Sequence, residues 1–305
     1  MEISSRRRAA WPAAAAAGVT VVLWASAFVS IRSAGAAYSP GALALGRLLA
    51  GTLVLGVISL VRRTGWPARA AWPGIVISGV LWFGGYMVAL NWGEREVDAG
   101  TAAMVVNIGP ILIALLGARL LGEGLPRPLS AGIAVSFVGA VVVGVSMSGA
   151  GRAPVLGVLL CLVAAASYAG GVVAQKPALR HAGALQVTTF GCAIGAVACL
   201  PFTGVLVSEA ARAPLPATLN MLYLGVFPTA LAFTTWAFAL ARTTAGRLGA
   251  TTYVVPALVV VMSWLLLDEV PGPLTLAGGA LCLAGVAISR RCAVPPRLAI
   301  PRSDR

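Results

Sequence analysis

The sequence repeats itself, and this repeat constrains the fold more than any other feature. The stretch from Ala99 to Glu123 recurs from Ala245 to Glu269, at an offset of 146 residues. The same offset holds over about sixty residues, pairing Gly79 with Gly225, Gly100 with Gly246, Pro110 with Pro256, Gly132 with Gly278 and Gly139 with Gly285. Chance rarely maintains one offset over such a length, so the chain is predicted to contain two tandem copies of one structural unit.

The composition indicates whether this unit folds in water or in a membrane. Hydrophobic residues make up 59% of the chain, charged residues only 10%, and the mean hydropathy is +0.92. In soluble domains about a quarter of all residues are charged. The composition therefore predicts a polytopic membrane protein, and an internal repeat in such a protein is typical of secondary transporters.

The net charge of +13 does not indicate a nucleic-acid partner. The arginines lie in short runs between apolar segments, whereas a nucleic-acid interface concentrates them on one face with interleaved aromatic residues. Such short runs are typical of topology signals and of contacts with anionic lipid headgroups. We expect the lipid bilayer, and no nucleic acid, as a partner.

Ten apolar segments are each about as long as a bilayer-spanning helix. Five fall in the first repeat (residues 1–148) and five in the second (149–292), followed by a tail over 293–305. The sequence thus predicts an all-α membrane protein with ten transmembrane helices. In order, helices one to ten are predicted over 11–31, 40–61, 72–92, 99–121, 129–147, 155–175, 185–207, 216–241, 248–267 and 274–288.

The distribution of Lys and Arg predicts the orientation. With a cytoplasmic N-terminus, 17 of the 22 Lys and Arg residues fall on the cytoplasmic side and four on the other, while Arg47 lies within helix two. Both termini are then cytoplasmic. Because five helices per repeat is an odd number, the second copy enters the membrane from the opposite face. Inverted repeats can exchange outward-open and inward-open states, which predicts alternating access around a site near the midplane.

Aromatic side chains with a polar atom occur in the middle of several segments. Trp24 in helix one is matched by Tyr168 in helix six, and the small neighbours of both residues also permit ordinary helix packing. A Trp or Tyr at this depth lies away from the interfacial belt that these residues prefer, so pocket lining and packing both stay open. In helix three, Tyr86 is the better candidate than Trp82 or Asn91, which lie nearer the ends.

Two prolines interrupt the repeated stretch. Pro110 and Pro256 each remove one backbone hydrogen bond and free a carbonyl one turn upstream. Asn107 and Tyr253 lie three residues before them. We expect helices four and nine to kink here and to act as a gate, although prolines at membrane depth are also tolerated for packing alone.

Ionisable residues are nearly absent from the middle of the predicted helices. The acidic residues map to helix ends, loops or termini, and the only histidine, His181, maps to a loop. Proton-driven antiporters usually carry Asp, Glu or His in the pathway, so facilitated transport is preferred over obligatory proton coupling. Arg47 is the exception, and it could attract a substrate carboxylate or pair with backbone carbonyls or headgroups.

The residue chemistry of an intramembrane enzyme is also missing. A prenyltransferase needs Asp-rich motifs to hold magnesium diphosphate, and an intramembrane protease needs a mid-span Asp pair or a Ser with a His. The five cysteines show no CxxC spacing. We therefore predict no enzyme, no cofactor and no metal site. A purely structural membrane protein is the remaining alternative, but it would not require inverted repeats.

The order and spacing of these features resemble the drug/metabolite transporter superfamily, EamA type. The features that match are LWASAF in helix one, Arg47 after Pro40 in helix two, and the repeated runs that end helices four and nine at Glu123 and Glu269. Within this superfamily the chain is most similar to the YddG branch of bacterial inner-membrane amino-acid exporters.

The resemblance implies a basket-like bundle around a central cavity. The cavity would be lined from helices one, three, four, six, eight and nine, with helices five and ten at the periphery. By helix membership the resemblance implies these lining residues: Trp24, Tyr86, Met104, Asn107, Tyr168, Trp236 and Tyr253.

A cavity with several aromatic rings and few charges suits a neutral zwitterion with an apolar side chain, hydrogen-bonded by Asn107 and Ser26. We therefore expect export or facilitated diffusion of neutral and aromatic amino acids across the bacterial inner membrane. Drugs, lipophilic cations or other small metabolites would also fit such a cavity. The sequence is compatible with a monomer.

Overall fold

The computed structural model describes residues 2–97, 102, 105–147, 155–267 and 272–290. These residues form ten helical segments, α1 to α10, in the predicted order, and among them there is no strand. The all-α prediction is confirmed. The bounds are α1 Glu2–Gly35, α2 Pro40–Val61, α3 Arg69–Glu96, α4 Gly109–Leu120, α5 Arg127–Met147, α6 Val155–Ala178, α7 Ala184–Ala198 with Leu200–Ala210, α8 Leu215–Leu240, α9 Ala245–Thr251 with Val254–Leu267, and α10 Pro273–Arg290.

Several of these helices can cross a bilayer on length and composition alone. In the described part of the chain, α2, α3, α5, α6 and α8 meet this condition, and α7 is a sixth if its two parts count as one span. Shorter apolar helices occur within α1, α4 and α10. The exposed face of α2 carries Leu49, Leu53, Val57 and Leu60, three or four residues apart and so on one side of the helix. An exposed apolar face of this kind fits contact with lipid hydrocarbon.

Helix α7 departs from the prediction of one continuous helix. Its two parts meet at an angle of 53°, with a short 3-10 turn at Leu200–Phe202. Pro201 lies in that turn. Because proline lacks the N–H group and its ring clashes with the preceding turn, an α-helix bends or ends just before it.

The two repeat copies meet where α5 packs on α10, and the contact is reciprocal. A Cβ added to Gly132 would lie 2.5 Å from the carbonyl oxygen of Gly285, and one added to Gly285 would lie 2.5 Å from that of Gly132. Gly139 and Gly278 approach each other in the same way, at 2.7 and 2.9 Å. Gly278 is the repeat equivalent of Gly132, and Gly285 that of Gly139. Each copy thus presents the same two glycines in opposite order, which requires antiparallel helices and confirms the inverted repeat.

Two hydrogen bonds join residues that are equivalent in the repeat. Ser136 Oγ donates to the carbonyl oxygen of Cys282 at 3.0 Å, and the Tyr253 hydroxyl donates to that of Asn107 at 2.9 Å. Both pairs are separated by 146 residues in sequence. Equivalent residues of two copies can touch only near the two-fold axis that relates the copies. This axis therefore passes between α5 and α10. It also passes between α4 and α9, close to the points where their apolar parts begin.

Helices α3 and α8 each contain one π-helical segment, at Gly79–Gly85 and Gly225–Leu231. These two segments are also equivalent in the repeat. π-helical segments are rare and frequently occur at functional sites. Neither segment is predicted from the sequence, because a π segment has no hydrophobic period of its own.

Polar side chains join helices at one end of the bundle. Glu123 follows α4, and its Oε2 accepts a hydrogen bond from the amide of Ala245, the first residue of α9, at 2.6 Å. Lys176 of α6 forms an ion pair with Glu123 at 3.9 Å and donates to the carbonyl oxygens of Leu240 and Thr243, where α8 ends. Glu123 and Lys176 together hold the ends of four helices.

The opposite end of the bundle has a similar arrangement. Arg95 of α3 donates to the carbonyl oxygens of Gly35 and Tyr38, at 3.2 and 2.9 Å, where α1 ends. Glu209 of α7 accepts from the amide of Ser39 at 2.7 Å, just before α2 begins. In both cases a charged side chain satisfies backbone groups that a helix terminus leaves without a partner.

We expect Gly285→Ala to destabilise the protein. The added methyl group would lie 2.2 Å from Ser136 Oγ and 2.5 Å from the Gly132 carbonyl oxygen, so α5 and α10 would have to separate. Overpacking of this kind costs about 1–3 kcal/mol. Thermal unfolding of the purified protein in detergent measures the effect. The control is Gly56→Ala, where the methyl group meets no atom within 4 Å; equal midpoints for the two variants would contradict the close packing.

We expect substitutions of Glu123 to lower the thermal midpoint in a defined order. Glu123→Gln keeps an acceptor for the Ala245 amide but loses the ion pair with Lys176, whereas Glu123→Ala loses both. Loss of a helix cap costs about 0.5–2 kcal/mol, so the Ala variant should unfold at the lowest temperature and the Gln variant in between. If the Ala variant is as stable as the wild type, Glu123 does not hold α9.

Candidate functional site

Six aromatic side chains from four helices meet in the interior of the bundle, and we call them the aromatic cluster. Trp24 comes from α1, Trp82 and Tyr86 from α3, Tyr168 from α6, and Phe233 and Trp236 from α8. The ring of Phe83, also in α3, adjoins the cluster at 4.6 Å from that of Phe233. The centroid distances are 4.9 Å for Trp24–Trp236, 6.0 Å for Trp24–Trp82, 5.5 Å for Trp82–Tyr168, 4.6 Å for Trp82–Phe233 and 5.8 Å for Tyr86–Tyr168.

Glycines on neighbouring helices make room for these rings. A Cβ added to Gly171 of α6 would lie 2.4 Å from the Cβ of Trp82, and one added to Gly109 of α4 would lie 2.7 Å from the Tyr168 ring. The helix backbones therefore approach the rings directly. Trp82 and Trp236 are almost completely buried as a result, with 1% and 0% of their surface exposed.

Two polar atoms in the aromatic cluster lack hydrogen-bond partners within the described residues. These atoms are the Tyr168 hydroxyl and the Trp236 indole nitrogen, Nε1. Thr252 of α9 lies beside the Tyr168 hydroxyl but does not meet hydrogen-bond geometry with it. Burying an unpaired polar atom is unfavourable, so both atoms are suited to bond a polar group that enters the cluster.

The π-helical segment of α8 anchors side chains from two other helices. Trp24 Nε1 donates to the carbonyl oxygen of Pro228 at 3.3 Å, and Arg47 Nε of α2 donates to Thr229 Oγ1 at 3.2 Å. The Thr229 hydroxyl in turn donates to the carbonyl oxygen of Leu224 at 2.8 Å. Trp24 and Arg47 are thus hydrogen-bonded to two consecutive residues, Pro228 and Thr229.

Arg47 lies inside the protein. Only 5% of its surface is exposed. Backbone carbonyls were among its expected partners, but the hydrogen bond that it forms is to the hydroxyl group of Thr229. The titratable side chains that face it are Tyr86 and Glu94 of α3 and Cys192 of α7. Through Tyr86, which stacks near Tyr168, Arg47 adjoins the aromatic cluster.

The structure brings together four of the predicted site residues: Trp24, Tyr86, Tyr168 and Trp236. Ser26 lies apart from them, since its hydroxyl donates to the carbonyl of Leu23 at 2.8 Å and pairs with the Tyr223 hydroxyl of α8 at 2.7 Å. Met104, also predicted, lies outside the described residues.

Asn107 and Tyr253 lie at the turns that precede the apolar parts of α4 and α9. The chain makes a turn at Asn107 and Ile108 before α4, and α9 is interrupted at Thr252 and Tyr253. Tyr253 is fully buried in a second hydrophobic cluster, with Ala114, Ile133 and Cys282 among its members. The two residues are joined to each other by the hydrogen bond between equivalent positions and do not belong to the aromatic cluster.

Pro110 and Pro256 each lie in the first turn after one of these breaks. Proline is tolerated in a first turn because its missing N–H group would have no intrahelical partner there. For both helices the interruption occurs just upstream of the proline, as the freed carbonyl predicts.

Trp82 and Phe233 belong to the aromatic cluster but are not among the site residues predicted from the sequence. Trp82 was assigned to a helix end, where structural roles are common, but α3 extends from Arg69 to Glu96 and Trp82 is at its centre. The first copy does offer a signal, because the run GVLWFGG places a large ring among glycines. Phe233 lies in a uniformly apolar run that gives no such indication.

A comparison with known protein families matches residues 11–145 and 155–291 to the EamA-like transporter family. The chain belongs to this family. The resemblance stated from the sequence is thereby confirmed. Each copy of the repeat is one EamA-like unit, and the protein is a membrane transporter and not an enzyme.

Several curated relatives are similar over most of the chain. A probable terminal-alkyne amino-acid exporter of Streptantibioticus cattleyicolor is 37% identical over 275 residues, covering 90% of this chain and 91% of the relative. The uncharacterized transporter YdfC of Bacillus subtilis is 32% identical over 267 residues, covering 88% and 87%. A probable amino-acid metabolite efflux pump of Escherichia coli is 25% identical over 210 residues, covering 66% and 69%.

A solved crystal structure has the same fold. It matches with a TM-score of 0.75 over 91% of this chain and 96% of its own, at 24% sequence identity. At this level of identity the likeness concerns the fold alone.

We expect Tyr168→Phe and Tyr253→Phe to differ in stability although they remove the same atom. The Tyr168 hydroxyl has no partner in the described part of the chain, so its loss should leave the thermal midpoint unchanged or higher. The Tyr253 hydroxyl donates to the Asn107 carbonyl, and its loss should cost about 0.5–1.5 kcal/mol. Parallel thermal unfolding of both variants in detergent tests this. A larger loss at Tyr168 would mean that its hydroxyl is bonded within the resting protein.

Proposed function

We propose that this transporter exports neutral and aromatic amino acids and binds them at the aromatic cluster. The observation that carries the proposal is the cluster itself, in which two of the six aromatic side chains carry a buried polar atom that lacks a partner among the described residues. Aromatic faces bind an apolar side chain and attract an ammonium group, while the Tyr168 hydroxyl and Trp236 Nε1 can bond the polar end. The names of two relatives, an amino-acid exporter and an amino-acid metabolite efflux pump, support this substrate class.

Transport is proposed to proceed by alternating access without obligatory proton coupling. The inverted repeat supports the first part, because two similar units of opposite orientation can exchange conformations. The scarcity of carboxylates supports the second. Glu94 is the carboxylate whose charge acts on both Arg47 and Tyr86, and it lies near the end of α3. If coupling to protons were found, Glu94 would be the first residue to replace.

Pro110 and Pro256 are proposed to permit the movement of α4 and α9. Each follows a break in its helix, and the Tyr253–Asn107 hydrogen bond connects the two breaks. A change of angle at one break would therefore act on the other.

The proposed location is the bacterial inner membrane, with both termini in the cytoplasm. The asymmetry of Lys and Arg between the two faces supports this orientation.

We propose repeat boundaries at residues 148 and 292, close to the ends of the two family matches. A monomer would suffice, because the aromatic cluster is formed within one chain.

Replacing Trp24 or Tyr168 by Ala should lower transport while folded protein is retained. Trp24 contacts Trp82, Phe233 and Trp236, and loss of an aromatic contact is expected to reduce the initial rate up to about tenfold. Trp11→Ala is the control, since this side chain is 73% exposed. Rates are measured in proteoliposomes and normalised to monodisperse protein. Wild-type flux in both variants would remove the two residues from the site.

The decisive experiment for the function is uptake of labelled neutral and aromatic amino acids into proteoliposomes, with and without an imposed pH gradient. Saturable uptake without the gradient is the expected result. Uptake only with a gradient would overturn the proposed uncoupled mechanism. No uptake in either condition would overturn the amino-acid assignment in favour of drugs or other metabolites.

A further inference from the structure

Arg47 is a buried cation, and the carboxylate whose charge acts on it is that of Glu94 in α3. Within the described residues its guanidinium group forms one hydrogen bond, from Nε to Thr229 Oγ1, and no ion pair. An ionised group that forms no ion pair is expensive to bury, and an ionisable residue inside a membrane-spanning segment usually has a functional role. A purely structural role would require an ion pair or several acceptors, and the described residues supply neither.

The single hydrogen bond determines how the guanidinium group is presented. Thr229 uses its own proton to bond the Leu224 carbonyl, so its oxygen is the acceptor for Arg47 Nε. Because the guanidinium group is planar, a fixed Nε orients the two terminal nitrogens, Nη1 and Nη2. That edge is the one with which arginine binds a carboxylate through two parallel hydrogen bonds.

The position of Arg47 connects it to the aromatic cluster. It is attached to Thr229, and Trp24 is attached to the preceding residue, Pro228, in the same π-helical segment. Arg47 also interacts electrostatically with Tyr86, whose ring centroid lies 5.8 Å from that of Tyr168. A small molecule with its apolar side chain among the rings therefore has a cation within the same interior region.

We propose that Arg47 binds the carboxylate of the transported molecule and thereby selects amino acids over amines with the same side chain. Thr229 is the positioning residue that orients the guanidinium group. This inference rests on the proposed function and adds the group that distinguishes an amino acid from other aromatic or cationic compounds. The aromatic cluster alone would accept both classes.

The test compares a substrate with its analogue that lacks the carboxylate. Wild-type protein and variants are reconstituted in proteoliposomes, and uptake of labelled phenylalanine is competed with unlabelled phenylalanine or with phenylalaninamide. The wild type is expected to prefer phenylalanine by about 10- to 100-fold, the scale of a charge-assisted hydrogen bond. In Arg47→Gln this ratio should approach one, because the carboxylate loses its partner.

Two further variants separate binding from folding. Arg47→Lys keeps the charge but not the planar edge, and Thr229→Val keeps the shape but not the acceptor, so both should reduce the ratio without abolishing it. Arg62→Gln, at the exposed end of α2, is the matched control and should keep the wild-type ratio. For a variant that binds without transporting, quenching of intrinsic Trp fluorescence by the same two compounds gives the ratio directly.

The outcomes distinguish this inference from the function on which it rests. Equal competition by the two compounds in the wild type, or an unchanged ratio in the three site variants, would overturn the role of Arg47 while amino-acid transport stands. If Arg47→Gln cannot be purified, the wild-type ratio and the Arg47→Lys and Thr229→Val ratios decide. Absence of saturable phenylalanine binding and uptake in the wild type would overturn the proposed function itself.

Discussion

The water-free interior of a bilayer leaves every backbone polar group to be satisfied within the protein, and the rest of this structure depends on that constraint. Helices meet it everywhere except at their breaks. At the breaks, side chains bond the backbone instead: Trp24 at the Pro228 carbonyl, Thr229 at the Leu224 carbonyl and Tyr253 at the Asn107 carbonyl. The irregular backbone at these breaks is therefore completed by buried or partly buried side chains.

The candidate site lies at these breaks for the same physical reason. The π-helical segment of α8 orients Trp24 and Arg47 through two consecutive residues, and the equivalent segment of α3 carries Trp82 into the aromatic cluster. A displacement of the α8 segment would act on Trp24 and Arg47 together, and a displacement of the α3 segment would move Trp82. The contacts that complete the backbone are thus also the contacts that shape the site.

The fold is symmetric, but the site is not. The glycine pairs of α5 and α10 keep the two copies in reciprocal contact, because any side chain there would separate the backbones. Around the aromatic cluster the copies differ: Trp82 is replaced by Pro228 at the equivalent position, and Phe83 by Thr229. The first copy supplies rings at these positions, and the second supplies a carbonyl acceptor and a hydroxyl group. One chain can in this way combine aromatic rings from one copy with hydrogen-bonding groups from the other, and these groups hold Trp24 and Arg47.

The sequence by itself determined the membrane environment, the ten helices, the inverted repeat and four members of the aromatic cluster, because these follow from hydropathy, one constant offset and the rarity of Trp and Tyr at depth. Tertiary structure alone decided that Trp82 and Phe233 join the cluster, that Ser26 faces Tyr223, and that Arg47 is attached to Thr229. The physical reason is that periodicity reports which residues avoid water, whereas the direction of a side chain depends on local departures from the α-helix. The π-helical segments are such departures, and they are stabilised by contacts between helices far apart in the chain.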